Sequence, residues 1–125
     1  MPGKVYRTAI YCRLSREDGD KVESNSIASQ RAICEDYIAR HDDLEIVCEP
    51  FVDDGYSGVS FNRPNFKKLE DAIRKGAIDC IVVKDLSRFS RNYIDGGRYL
   101  EKIFPQLGIR FIAVHDAYDS LTGDP

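Results

Sequence analysis

The sequence predicts an α/β domain: a mainly parallel sheet of about four strands with helices on both faces. Three observations lead there. Short apolar segments alternate along the chain with segments of helical periodicity. Residues 78–83 (Ile-Asp-Cys-Ile-Val-Val) and 109–114 (Ile-Arg-Phe-Ile-Ala-Val) read as near-continuous apolar runs, the pattern of strands covered on both sides. The chain has 125 residues, 42% of them hydrophobic and 31% charged, which suits a single globular domain with a sizeable core.

Residues 4–13 form the first predicted strand, and a polar loop runs from Ser15 to Asn25. Ser26 has the side chain of a helix cap, so a helix is expected to about Arg40, with Ile27, Cys34, Tyr37 and Ile38 toward the core. Residues 44–52 make a second strand, and the stretch Asp53 to Asn62, rich in Gly, Ser and Asp, reads as a loop. Pro64 suits the first turn of a second helix ending at Gly76, with Phe66, Leu69, Ala72 and Ile73 on one stripe. After the third strand, 78–83, a loop leads into a helix from about Asn92 to Phe104, with Ile94, Gly97, Leu100, Ile103 and Phe104 inward and Pro105 and Gly108 at its end. The fourth strand is 109–114. The polar stretch after Val114 carries no further predicted element, so the chain is expected to be a fragment of something longer.

No apolar run approaches the ~20 residues of a membrane span, and Met1-Pro2-Gly3-Lys4 lacks the apolar region of a signal peptide, so a cytoplasmic location and no membrane partner are expected. Cys12, Cys34, Cys48 and Cys80 form no C-x-x-C pair and read as ordinary buried thiols. The net charge of −3 argues against a domain that grips DNA by itself.

Three motifs follow predicted strands: Tyr11-Cys12-Arg13-Leu14-Ser15-Arg16; Asp54-Gly55-Tyr56-Ser57-Gly58 with Arg63-Pro64 behind it; and Lys84-Asp85-Leu86-Ser87-Arg88-Phe89-Ser90-Arg91. In open parallel sheets, ligands sit beyond the carboxyl ends of the strands, so these motifs should meet. Arginine forks match phosphate oxygens. Ser15 beside Arg13 and Arg16 reads as a nucleophile whose target is phosphorus, the guanidiniums stabilising charge on the phosphoryl oxygens. Arg88 and Arg91, three apart at a helix start, should share one face, where the helix terminus also favours an anion. Arg31 and Gln30 lie on the first helix, where Gln30 reads equally as a residue that orients a substrate oxygen and as a solvated helix residue. Each motif alone also fits a plain loop or solvated arginines.

Rival chemistry is visible. Asp53, Asp54 and Asp85 at the strand ends are of the type that binds Mg²⁺ for phosphoryl transfer, although six arginines already supply positive charge. His115 would be needed for a Ser-His-Asp triad, but no G-x-S-x-G elbow precedes a serine. No dinucleotide or Walker fingerprint occurs. A non-catalytic regulatory module is the third reading.

Taken together, the ordered set resembles the serine recombinases, the resolvase/invertase family. Tyr11, Arg13 and Ser15 match its Y-x-R-x-S; Gln30 its helix glutamine; Asp54, Ser57, Gly58, Arg63 and Pro64 its D-x-x-S-G with R-P; Arg88 and Arg91 its D-R-x-x-R. Ser87 stands where many members carry aspartate, with Asp85 two residues earlier, which resembles the large, transposon-encoded members. The resemblance implies a resolvase-like catalytic domain over 1–125 that cuts and rejoins DNA at specific sites. Ser15 would attack a phosphodiester to form a 5′-phosphoserine link. Arg13, Arg63, Arg88 and Arg91 would hold the phosphate, and Tyr11, Gln30, Asp54, Ser57, Asp85 and Ser87 would support them. It also implies no metal or other cofactor, a tetramer for strand exchange, and a dimerisation helix and DNA-binding domains beyond this chain that supply most of the grip on double-stranded DNA. The 125-residue fragment alone is then expected to be nearly inactive.

Overall fold

In the computed structural model, which describes residues 3–15 and 26–122, six strands form one sheet in the order β2-β1-β4-β5-β6, with β3 also paired to β1. The strands are β1 (Tyr6–Leu14), β2 (Leu44–Ile46), β3 (Phe51–Asp54), β4 (Cys80–Val83), β5 (Arg110–Ala113) and β6 (Tyr118–Asp119). All pairings are parallel except β5 with β6. The expected α/β class and parallel core are therefore present. The fold exceeds the expectation at one edge: β6 is two residues long, too short to leave a periodic signal in a stretch that reads as polar loop.

Helices cover both faces. Helix α1 (Ile27–Ala39) starts at Ser26, whose hydroxyl accepts the Ser29 N–H, as the capping pattern predicts. It buries Cys34 and Ile38 against Ile10, Cys12, Cys80, Val82 and Ile112. Helix α2 (Pro64–Arg74) buries Phe66, Leu69 and Ile73 on the opposite face against Tyr11, Ile81, Val83 and Phe111. Alternate residues of each strand feed the two cores, as the period of two requires. Cys12, Cys34 and Cys80 are buried free thiols and Cys48 is half-buried; burial pushes Cys12 and Cys80 up to about 12.

Two expectations are corrected on the second strand and the last helix. The predicted strand 44–52 is two strands: β2 pairs with Tyr6–Thr8 and β3 with Tyr11–Leu14. Residues 47–50 bulge across the gap that Ala9 and Ile10 span on β1, and Pro50 has no N–H to give a ladder there. Asp53 and Asp54 consequently end a strand rather than open a loop. The predicted helix 92–104 is α4 (Tyr93–Arg98), a π turn (Tyr99–Ile103) and α5 (Phe104–Leu107). The N–H of Phe104 reaches back five residues to Tyr99 O. This wider turn carries the helix past Pro105, which has no N–H for an α-helical bond, and Gly108 closes it in the left-handed region at φ 71°. The extra residue rotates the inward face: Phe104 is buried, whereas Ile94, expected inward, is 75% exposed. Gly96 rather than Gly97 is the close-packed glycine, where a Cβ would stand 3.0 Å from Ser90 Cβ. A short helix also occupies the predicted loop after β4: α3, Leu86–Phe89. Among the described residues no helix is long and apolar enough to cross a membrane.

At the amino end of the sheet, Arg110 ties three segments together. Its guanidinium donates to both carboxylate oxygens of Asp119 (3.0 and 2.6 Å) and to Asp43 (2.7 Å), and lies over the Tyr6 ring. Burial raises the Asp119 carboxyl, but hydrogen bonds from Arg110 and the Leu121 N–H, with the charge of Arg110, outweigh it and hold the group below its ordinary value. A carboxyl whose folded pKa is depressed gives stability that is present above its unfolded pKa and lost as pH falls through the folded one. Asp119→Asn should therefore unfold more easily at neutral pH and lose less of its remaining stability on acidification than the unaltered chain, as urea titrations at a series of pH values would read.

Candidate active site

Parallel pairing brings the ends of β1, β3 and β4 to one edge, and Tyr11, Arg13 and Ser15 alternate along β1 so that all three fall on the same side. Arg13 and Arg63 are fully buried, Arg88 is 2% exposed and Ser15 is 4% exposed. Burying a guanidinium demands acceptors, and here the backbone provides most of them. Arg13 donates from Nε to Arg88 O (3.2 Å), from Nη1 to Tyr56 O (3.0 Å) and from Nη2 to Ser87 O (2.6 Å). Arg63 donates to Ser60 O (2.8 Å), Phe89 O (2.6 Å) and Gly58 O (3.3 Å), and to the Tyr11 hydroxyl at 3.4 Å; its guanidinium lies 4.7 Å from the Phe61 ring centroid. Arg88 Nη1 donates to Arg13 O at 3.0 Å. The loop after β3 and the loop after β4 are thus sewn to β1 and to each other by three arginine side chains.

Gln30, buried on α1, reads the same strand from the other side. It accepts the Arg13 N–H (3.2 Å) and donates to Arg13 O (3.0 Å), fixing the backbone that carries the serine and arginine. Gly58 is required by contact: a Cβ there would stand 2.7 Å from Arg13 Nη2 and 2.8 Å from Arg91 Cγ. Gly55, at φ 94°, turns the chain so that its N–H and that of Tyr56 bond Leu14 O. Ser57, half-buried, accepts the Val59 N–H and stiffens the same loop.

The two aspartates that end β3 are placed differently. Asp54 is exposed, whereas Asp53 is fully buried. Asp53 accepts the Tyr11 hydroxyl (2.8 Å) and the N–H groups of Asn65 (3.0 Å) and Phe66 (2.9 Å). It thereby caps α2, whose own cap residue, Arg63, makes no side-chain cap. Burial raises the Tyr11 phenol well above its ordinary range, Arg63 opposing and Asp53 adding, so Tyr11 stays protonated and donates. Asp53 therefore supports Arg63 through Tyr11. The signal was in the register, since Asp53 pairs with Arg13 on the ladder.

Arg88 and Arg91 do not share a helix face: α3 ends at Phe89, Arg88 is buried and Arg91 is exposed at the rim, its N–H bonding Gly58 O at 2.6 Å. The α3 amides expected to welcome an anion already have acceptors, Leu86 N–H on Asp116 (2.7 Å) and Arg88 N–H on Asp85 (3.2 Å). Asp116, from the turn after β5, was not anticipated. Asp85 accepts the Ser87 hydroxyl at 2.5 Å and lies 3.6 Å from Arg88 Nε. Arg31 is not part of the cluster; it sits on the exposed side of α1 against Glu35 (2.8 Å) and Glu49 (3.7 Å). Arg16 lies outside the described residues. His115 is exposed, so the structure does not direct it into a triad. Asp53, Asp54 and Asp85 do not converge, and among the described residues no three His, Cys, Asp or Glu side chains group as metal ligands.

Three substitutions test this construction. Removing a buried, paired carboxylate should cost about 3 kcal/mol, so Asp53→Ala should unfold well before Asp54→Ala, which should stay within about 0.5 kcal/mol of the unaltered chain. In Gly58→Ala, the added methyl should push Arg13 out of its bonds with Tyr56 and Ser87; lost protection of those loop amides in hydrogen exchange would show it.

Known proteins resemble this chain in sequence and fold. The model of the resolvase N-terminal domain family matches residues 8–124. A protein of Bacillus subtilis (strain 168) provisionally named a DNA recombinase is 31% identical over 87 residues, which is 70% of this chain and 16% of that protein, so the chain spans only about a sixth of that relative's length. The N-terminal catalytic domain of TP901-1 integrase superimposes with a TM-score of 0.81 at 26% identity, over 94% of this chain and 83% of that one. A resolvase family site-specific recombinase from Streptococcus pneumoniae does so with a TM-score of 0.74 at 29% identity, over 95% and 78%.

Proposed function

The chain belongs to the resolvase family through its N-terminal domain, and on that premise we propose that it is the catalytic domain of a serine recombinase, a cytoplasmic enzyme that breaks and rejoins double-stranded DNA at specific sites. The observation that carries the proposal is the alternation of Tyr11, Arg13 and Ser15 on one side of β1 at the edge where Arg63 and Arg88 are also buried.

Ser15 is the nucleophile. As its oxygen bonds to phosphorus, the bond from phosphorus to the 3′ oxygen breaks, and the proton given up by the serine is balanced by the one taken up on the leaving oxygen, which departs as a 3′-hydroxyl. The phosphoserine ester conserves the energy of the broken bond, so the same hydroxyl can reverse the step. Arg13, Arg63 and Arg88 bring preorganised charge to a site screened from water, where such charge is worth most, and Arg91 at the rim reaches the approaching phosphate. Tyr11, Asp53, Gln30 and Ser57 hold this set in place; Asp54, exposed, does not. The net charge of −3 leaves the grip on DNA to other parts of a longer polypeptide and to self-association into dimer and tetramer.

The test is covalent capture. The full-length protein is incubated with supercoiled DNA carrying its own recombination site in EDTA, denatured, and examined by mass spectrometry. A DNA adduct on the peptide containing Ser15, absent in Ser15→Ala, is the expected result. Cleavage that appears only when Mg²⁺ is added and survives Ser15→Ala would overturn it.

A further inference from the structure

Ser87 touches two of the buried arginines, through two different groups. Its backbone carbonyl accepts Arg13 Nη2 at 2.6 Å. Its hydroxyl oxygen lies 3.4 Å from Arg88 Nε and 3.3 Å from Arg88 Nη2. A hydroxyl has one proton and two lone pairs. That proton is given to Asp85 Oδ1 at 2.5 Å, so only lone pairs remain for Arg88. Asp85 itself is 3.6 Å from Arg88 Nε, and its carboxylate also accepts the Arg88 N–H at 3.2 Å. Resting on the recombinase reading above, we propose that Asp85 and Ser87 act as one positioning unit: the carboxylate orients the Ser87 hydroxyl as an acceptor, and the hydroxyl fixes the plane of the Arg88 guanidinium toward the phosphate.

The unit answers the departure at this motif. A carboxylate just before the arginine would meet the guanidinium directly. Here the carboxylate stands two residues earlier, and the turn into α3 returns it to within 3.6 Å of the same guanidinium, with the Ser87 hydroxyl bonded to both. Asp85 is partly exposed and Arg88 is not, so the charge at the water boundary is passed inward by a neutral group.

The unit is separable from helix capping. Asn caps a helix about as well as Asp, so Asp85→Asn keeps the cap and removes the charge. Ser87→Ala removes the relay and leaves the carbonyl that holds Arg13. Ser87→Thr keeps the hydroxyl. Each is made in the full-length protein, and its rate of Ser15–DNA adduct formation at saturating DNA, its affinity for that DNA and its thermal midpoint are measured. Ser87→Ala should slow adduct formation by about tenfold or more, the scale on which a misplaced group costs rate, and Asp85→Asn, whose amide oxygen still accepts the Ser87 hydroxyl, should slow it less. Affinity and thermal midpoint should stay near those of the unaltered protein, and Ser87→Thr should restore most of the rate. Adduct formation by Ser87→Ala at the unaltered rate, or Ser87→Thr as slow as Ser87→Ala, would overturn the relay. An unaltered protein that forms no Ser15 adduct would overturn the recombinase reading itself, and is told apart because the failure precedes any substitution.

Discussion

Burying guanidinium groups at the carboxyl edge of the sheet is the constraint on which the rest of this structure depends. A buried cation without partners costs several kcal/mol, so the chain around Arg13 and Arg63 has to present acceptors. It does so with the carbonyls of Tyr56, Gly58, Ser60, Ser87, Arg88 and Phe89. Loops that would otherwise lie on the surface are drawn against β1. The absence of a side chain at Gly58 follows from that close approach, and so does the short helix α3, which turns successive carbonyls toward the two arginines. The burial of these cations and the order of the loops rest on the same set of bonds.

The acidic groups divide their work around that constraint. Asp53 is structural: it accepts hydrogen bonds from the Tyr11 hydroxyl and from two amides of α2, and so sets the point at which Arg63 enters the site. Asp85 and Asp116 anchor α3 from its own start and from the turn after β5. Asp119 and Asp43 serve the opposite end of the sheet through Arg110. One end of the sheet is stabilised by a carboxylate-rich clamp and the other is held by carbonyls around cations. This polarity gives an acidic domain a local cluster of cations at one edge.

Legibility differed by the range of the information. Helices α1 and α2 were readable because Ser26, Pro64 and the Phe66, Leu69, Ile73 stripe are local signals of cap and face. The strands at 80–83 and 110–113 were readable as apolar runs. The bulge at 47–50, the two-residue β6 and the π turn before Pro105 were not, since each arises from how the chain meets a neighbour. Ile94 was misplaced for that reason: one inserted residue rotates a helix face by about 100°.

By itself the sequence determined the class of fold, the order of its central elements and the residue types that meet at one edge, because periodicity and motif order are properties of the chain. The tertiary structure alone decided which of two adjacent aspartates supports the site. Asp53 and Asp54 are indistinguishable as letters, but side chains alternate along a strand, so one turns inward onto Tyr11 and the start of α2 and the other to water. It likewise decided that Arg88 is buried and Arg91 is not, because α3 ends between them and breaks the face that their spacing suggests.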